Sequence, residues 1–115
     1  MDIAIAVEEK DGLTIAMLSG ELNSSTAEQV QARLLELIGP GCKIVLDMSG
    51  VNYISSVGLR ALLLLYRETM RQDGRIVLCG LTEMVYDTMF ITGFLDFFET
   101  FATCAEGQAG IVRPS

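Results

Sequence analysis

Half of the 115 residues are hydrophobic, and 15 acidic residues against eight basic ones leave a net charge of −7. A chain of this length can bury one hydrophobic core, but it lacks the basic excess that sequence-independent nucleic-acid binding requires. It also contains no histidine, which excludes a Ser–His–Asp triad, an imidazole base and a histidine-ligated metal site.

The amino-terminal segment is typical of a β-hairpin. Short apolar runs at Ile3–Val7 and Leu13–Leu18 lie on either side of Asp11-Gly12, a dipeptide that favours tight hairpin turns. Gly20-Glu21-Leu22-Asn23 ends this pair of predicted strands.

A helix is predicted after the hairpin. Ser24-Ser25-Thr26 offers side chains that can cap a helix, and Glu28 follows Ser25 at the spacing of a capping box. Apolar residues then recur at helical spacing as far as Ile38, and Gly39-Pro40-Gly41 predicts the end of the helix.

The most distinctive stretch is a junction between a strand and a second helix. Ile44-Val45-Leu46 is apolar on both faces, as in a strand that helices cover on each side, and the polar residues after Asp47 predict a loop. The second helix, predicted over residues 56–72, starts beside Ser55 and Ser56. Hydroxyls at a helix start lie beside unpaired backbone N–H groups and the positive end of the helix dipole.

The carboxyl-terminal half continues to alternate strands and helices. The sequence predicts a buried strand at Arg75–Cys79, a helix from Thr82 to about Phe90, an edge strand at Phe97–Phe101 and a last helix at Thr103–Gln108. The tail Arg113-Pro114-Ser115 is expected to fray.

This order of elements predicts one α/β domain over residues 1–115. We expect a sandwich built on a mixed, mostly parallel sheet of four or five strands, with an amino-terminal hairpin and about four helices.

Placing the residues of the second helix at 100° intervals separates two sides. One side is apolar and is expected to pack in the core: Leu59, Leu62, Leu63, Tyr66 and Met70. The other carries Arg60, Leu64, Arg67 and Arg71, with Val57 and Glu68 close by. Two interpretations of Leu64 remain open. It packs under a neighbouring element or is a singly exposed leucine, or it is the apolar centre of a partner-docking stripe.

The two serines also have a structural and a functional interpretation. Serine is among the best N-cap residues, so capping explains one of them, and Gly58 after them permits close backbone approach by a partner.

A nucleophilic serine lacks a base, because Lys10 and Lys43 are the only lysines and both lie at predicted strand ends. The GxSxG elbow and the glycine-rich phosphate motifs are absent. A regulatory phosphoserine fits better, since about −1.5 to −2 charges are tolerated at a helix start but costly in a dry interface.

Targeting signals and cysteine ligands are not predicted. The longest apolar run, Ala61–Tyr66, is far shorter than the ~20 residues of a membrane span, and Met1-Asp2-Ile3 does not resemble the start of a secretory signal. The cysteines Cys42, Cys79 and Cys104 show no CxxC spacing, which argues against a zinc site. We expect a cytoplasmic protein with reduced thiols and no cofactor.

At the junction the sequence resembles a known family. Asp47-Met48-Ser49 followed by 53–59, Tyr-Ile-Ser-Ser-Val-Gly-Leu, is similar to the D-x-S … I-[DS]-S-[SA]-G-L signature of single-domain STAS proteins, the anti-sigma factor antagonists of bacteria. Gly20-Glu21-Leu22-Asn23 resembles the family's G-x-L-D, and 76–81 its strand before the third helix. Asn23 and Ser55 stand where members often have aspartate, and Val57 where many have a small residue.

The resemblance implies a phosphorylation-switched binding protein rather than an enzyme. It makes Ser56, with Ser55 as second choice, the residue phosphorylated by an anti-sigma factor that is itself a GHKL-type serine kinase. The unphosphorylated protein binds that kinase and frees the sigma factor, and a PP2C-type phosphatase restores the serine. The implied partner surface, to which helix geometry adds Arg60 and Leu64, comprises Asn23, Ser24, Ser25, Ser55, Ser56, Val57, Gly58, Leu59, Arg60 and Leu64.

Two alternatives accompany this hypothesis. A STAS domain without a switch would be a scaffold or interaction subunit of a signalling or lipid-transport complex, and Ser56 would serve only as a cap. An enzyme or small-ligand binder would need a catalytic constellation that the sequence does not contain.

Overall fold

A five-stranded sheet runs through the computed structural model, which describes residues 3–113. The strands are β1 Ala4–Lys10, β2 Leu13–Leu22, β3 Lys43–Ile54, β4 Arg75–Cys79 and β5 Glu99–Phe101. The helices are α1 Ala27–Leu35, α2 Ser56–Arg71, α3 Glu83–Thr92 and α4 Cys104–Ile111, with a 3-10 turn at Phe94–Phe97. Pro114 and Ser115 of the tail predicted to fray lie outside the described residues.

The sheet has the strand order β1-β2-β3-β4-β5. β1 and β2 pair antiparallel around a turn at Asp11 and Gly12, both of which have positive φ (51° and 80°), the conformation that a tight hairpin turn needs. The other three pairings are parallel. The predicted mixed, mostly parallel sheet with an amino-terminal hairpin is therefore confirmed.

Helices cover the sheet on both faces. α1, α2 and α3 enclose a large core that includes Leu46, whereas α4 encloses a smaller one that includes Val45, Val77 and Ile111. Because successive strand residues point to opposite faces, Val45 and Leu46 fill different cores. This explains the doubly apolar character of the central strands. Within residues 3–113, no helix combines the length and apolarity that crossing a membrane would require.

β3 is longer than predicted and runs on to Ile54. Met48, Val51 and Ile54 are 0–2% exposed, so the loop predicted after Asp47 is wrong. The pairing with β2 shifts register between Met17 and Ser19. Because of that irregularity, inward and outward residues do not alternate strictly, and a search for alternating apolar residues does not detect this part of the strand.

The chain between α3 and β5 also differs from prediction. α3 extends to Thr92 and ends at Gly93, which has φ 81°, the left-handed conformation that favours glycine at a helix end. The 3-10 turn then takes up Phe97, so the edge strand begins at Glu99 instead.

α2 buries a somewhat different face from the predicted one. Leu65 is fully buried, whereas Met70 is 43% exposed, so the prediction that placed Met70 in the core is wrong. The buried face also contains the small or polar residues Gly58, Ala61 and Thr69. The prediction of the buried face used only large apolar residues, so it missed the helix orientation that these three small or polar residues allow.

Two alanine substitutions test this orientation of α2. Leu65→Ala should lower the free energy of unfolding by about 2–5 kcal/mol, because it leaves a cavity in the core. Met70→Ala should cost less than about 1 kcal/mol, because much of its side chain is in water. Urea unfolding followed by circular dichroism gives both values, and an equal or larger loss for Met70→Ala would contradict the observed burial.

Candidate functional site

The carboxyl ends of β2 and β3 bring the two predicted partner loops together. Leu22 is paired with Ile54 in the parallel register, so the loop 23–25 and the start of α2 lie at the same edge of the sheet. The Ser55 N–H donates to the Leu22 carbonyl at 2.9 Å. This hydrogen bond fixes the start of α2 against the end of β2.

Gly58 lets α2 approach that same carbonyl closely. A Cβ at position 58 would lie 2.5 Å from the Leu22 oxygen, a distance that would force the helix away from β2. Within the fold, the close approach that this glycine permits is thus to β2. Gly58 and Leu59 are buried, so these two members of the predicted partner set support the surface from beneath. The anchoring role of Leu22 was missed because a main-chain carbonyl leaves no side-chain signal in the sequence.

The structure gives Ser55 and Ser56 different roles. Ser55 is the N-cap of α2: its backbone is extended, and its Oγ accepts the Gly58 N–H at 3.2 Å. Ser56 is the first helical residue and is exposed. Among residues 3–113, its hydroxyl engages no other group in a hydrogen bond. Capping therefore accounts for Ser55 and leaves the Ser56 hydroxyl uncommitted.

The surroundings of Ser56 favour an anion. The first turn of α2 contains no acidic residue, and the N-terminal end of the helix dipole is positive. Arg60 is exposed and lies one helical turn further on. A negative group attached at Ser56 would therefore meet favourable charges and disturb no buried contact.

Asn23 shapes the loop 23–25 at this edge of the sheet. Its Oδ1 accepts the Ser25 N–H at 2.9 Å, and its Nδ2 donates to Glu21 Oε1 at 3.2 Å. The amide is needed for the second bond, since an aspartate here would face the Glu21 carboxylate. Ser24 and Ser25 are exposed at the tip of the loop.

The capping box predicted for Ser25 and Glu28 is wrong. The N-cap of α1 is Thr26, without a side-chain cap hydrogen bond. Its Oγ1 instead donates to the Glu21 carbonyl at 2.7 Å and accepts the Asn23 N–H at 3.0 Å. Although Thr26 stands at the N-cap position of α1, its side chain closes the loop, and its burial fits that role.

The arginine-rich side of α2 faces outward, as predicted. Val57 and Leu64 are 40% and 41% exposed, and Arg60 and Arg67 are exposed beside them. Because Leu64 is 41% exposed, the interpretation in which it packs under a neighbouring element is wrong, whereas the singly exposed leucine and the partner-docking stripe both fit the structure.

An open groove of ≈ 600 Å³ is lined at the opposite end of the sheet by the first residues of β3, β4 and β5.

Burial, with smaller effects of Cys104 and Asp47, raises the pKa of the Cys79 thiol to about 12, so this thiol stays protonated and is a poor nucleophile. In the part of the chain described here, no group of three or more Cys, Asp or Glu side chains could hold a metal ion.

Comparison with known proteins identifies the family to which the chain is similar. Residues 4–107 match the STAS domain family model. A Bordetella bronchiseptica protein named as a candidate anti-sigma factor antagonist, BtrV, is 39% identical over 95 residues, which are 82% of each chain.

Solved structures show the same fold. A candidate anti-sigma factor antagonist from Thermotoga maritima gives a TM-score of 0.86 at 20% identity over 95% of both chains. The Bacillus cell fate determinant SpoIIAA, solved in a phosphorylated form, gives 0.66 at 19% identity, over 96% of this chain and 100% of that one.

Serine-to-alanine substitutions test the division of roles at the helix start. Ser55→Ala should lower the free energy of unfolding by about 1 kcal/mol, because it removes the cap of α2. Ser56→Ala should change it by less than about 0.5 kcal/mol, because its hydroxyl is exposed and caps nothing. Urea unfolding of both variants gives the comparison, and a larger loss for Ser56→Ala would reverse the assignment.

Proposed function

We propose that this chain, which belongs to the STAS-domain family, acts as an anti-sigma factor antagonist. Unphosphorylated, it binds an anti-sigma factor that is a GHKL-type serine kinase, and so frees the sigma factor in the cytoplasm. Phosphorylation of Ser56 ends that binding, and a PP2C-type phosphatase restores the serine. The names of the relatives support the antagonist function.

The observation that carries the proposal is the contrast between the two serines. Ser55 uses its hydroxyl to cap α2, whereas Ser56 presents an uncommitted hydroxyl to solvent at the first helical position. A kinase must reach its acceptor without unfolding the substrate, and Ser56 meets that requirement. Ser55 is half-buried and would lose its cap on modification, so it is the weaker acceptor.

Phosphoryl transfer needs only an acceptor hydroxyl from this chain. The γ-phosphoryl group of ATP in the kinase is transferred to Ser56 Oγ: an Oγ–P bond forms, the bond to the bridging oxygen breaks, and ADP leaves. The hydroxyl proton passes to a base of the kinase. A chain without histidine can therefore take part as the substrate.

The added charge would act on the complex rather than on the fold. A phosphate carries about −1.5 to −2 charges and is tolerated at a helix N-terminus. The similarly folded SpoIIAA is known in a phosphorylated form, which supports this tolerance. In a partner interface that excludes water, the same charge is costly.

The partner surface we propose is continuous along one edge of the molecule. It combines the loop 23–25 with Ser56, Val57, Arg60 and Leu64, all of which are at least partly exposed. The Leu22–Ile54 pairing places the loop beside the helix start. Ser55, Gly58 and Leu59 position this surface more than they form it.

A kinase assay tests the acceptor directly. GHKL-type anti-sigma factors of the source organism are incubated with the protein and ATP, and the site is mapped by mass spectrometry. Wild type and Ser55→Ala should each gain one phosphate on Ser56, and Ser56→Ala should gain none. Modification of Ser55 in the wild-type protein would contradict the assignment.

Binding measurements with the same kinases test the switch. Ser56→Ala should bind as wild type does, and Ser56→Glu should bind at least about tenfold more weakly, a loss of roughly 1.4 kcal/mol. Ala105→Glu is the matched control, since it adds the same charge in the first turn of α4, on the other face of the sheet. Undiminished binding by Ser56→Glu and by the phosphorylated protein would favour a non-switching STAS scaffold.

A further inference from the structure

The outward side of α2 extends the candidate surface well beyond Ser56. Val57, Arg60, Leu64 and Arg67 fall within one narrow sector of the helix at 100° per residue, and these four residues are here termed the α2 strip. All four are exposed. Arg60 and Arg67 therefore lie about one helical turn to either side of Leu64.

The α2 strip is basic in a strongly acidic protein. The chain has 15 acidic residues against eight basic ones, yet the four residues of the strip are cations or apolar side chains. Arg71 lies in the same sector of the helix and Glu68 at its border. Over residues 3–113, the ion pairs are Arg71–Glu68 and Arg75–Glu99. Neither Arg60 nor Arg67 is therefore ion-paired to a carboxylate within the described fold.

We propose that the α2 strip docks onto an apolar pocket rimmed by carboxylates on the anti-sigma factor, an inference that rests on the proposed function. Charge complementarity supports this occupant: guanidinium groups bind carboxylates in a bidentate manner, and Leu64 supplies an apolar anchor between them. A neutral or basic surface would desolvate two arginines without compensation. A nucleic acid would be repelled by the net charge of −7.

This docking mode gives Arg60 a part in the switch. Ser56 precedes Arg60 by four residues, so a phosphate on Ser56 lies on the same side of α2, one turn away. The phosphate can accept hydrogen bonds from the Arg60 guanidinium and so compete with the carboxylate of the partner. It also faces the acidic rim with a like charge. Arg67 lies about three turns from Ser56 and takes no part in this competition.

Charge-reversal variants test the docking mode. The affinity of unphosphorylated Arg60→Glu, Arg67→Glu and Leu64→Ala for the GHKL-type anti-sigma factor is measured by biolayer interferometry at low and high ionic strength. Each should bind at least about tenfold more weakly than wild type, and binding by Arg67→Glu should depend less on salt. Lys43→Glu, an equal charge change at the opposite end of β3, should stay within about twofold, as distant surface charges do.

The role of Arg60 has its own readout. Phosphorylation should reduce the affinity of Arg60→Gln by a smaller factor than it reduces the affinity of Arg67→Gln, because only Arg60 can be withdrawn by the phosphate. Equal factors for the two variants would overturn that role. Circular dichroism of each variant checks that its fold is intact.

Failure of the docking mode is distinguishable from failure of the proposed function. If Arg60→Glu and Arg67→Glu bind as Lys43→Glu does while Ser56 is phosphorylated and wild type is released, the docking mode is overturned and the switch stands. If the strip variants lose affinity but Ser56 is never modified, the docking mode stands and the switch is overturned. If the wild-type protein binds none of these kinases, both the docking mode and the proposed function are contradicted.

Discussion

The carbonyl oxygen of Leu22 fixes the geometry on which the candidate site depends. It accepts the Ser55 N–H at 2.9 Å, and the missing side chain of Gly58 lets α2 approach the same oxygen, where a Cβ would be only 2.5 Å away. With the backbone of Ser55 held there, its hydroxyl reaches the Gly58 N–H and caps the helix. Ser56 is the next residue and faces solvent. The exposure of one serine thus follows from a contact between backbones.

The helix α2 contributes to stability with one side and to recognition with the other. Its inner side, with Leu62 and Leu65, is buried in the larger core, and its outer side presents Leu64 between two arginines. A charge added at Ser56 therefore acts on the outer side without disturbing the buried side chains. A domain built this way can lose a partner and keep its fold, because the two functions use opposite sides of one element.

Much of this arrangement is predictable from sequence, for physical reasons that differ between elements. The hairpin follows from Asp11-Gly12, and the outward side of α2 follows from helical periodicity. The second half of β3 was missed because Ser49 and Asn52 alternate irregularly with buried residues around a register shift. Ser55, and not Ser56, is the N-cap because the Leu22 carbonyl binds the Ser55 N–H. A tertiary contact of that kind has no local signal in the sequence. The role of Asn23 depends instead on a local hydrogen bond that it donates to Glu21, two residues earlier.

The most direct test of the account is a paired measurement on protein phosphorylated stoichiometrically at Ser56. The account predicts a melting temperature within a few degrees of the unmodified protein, that is, a stability change below about 1 kcal/mol. It predicts at the same time a loss of affinity for the anti-sigma factor of at least about tenfold. A phosphorylated protein that still binds as tightly, or one that releases its partner only because it has unfolded, would contradict the account.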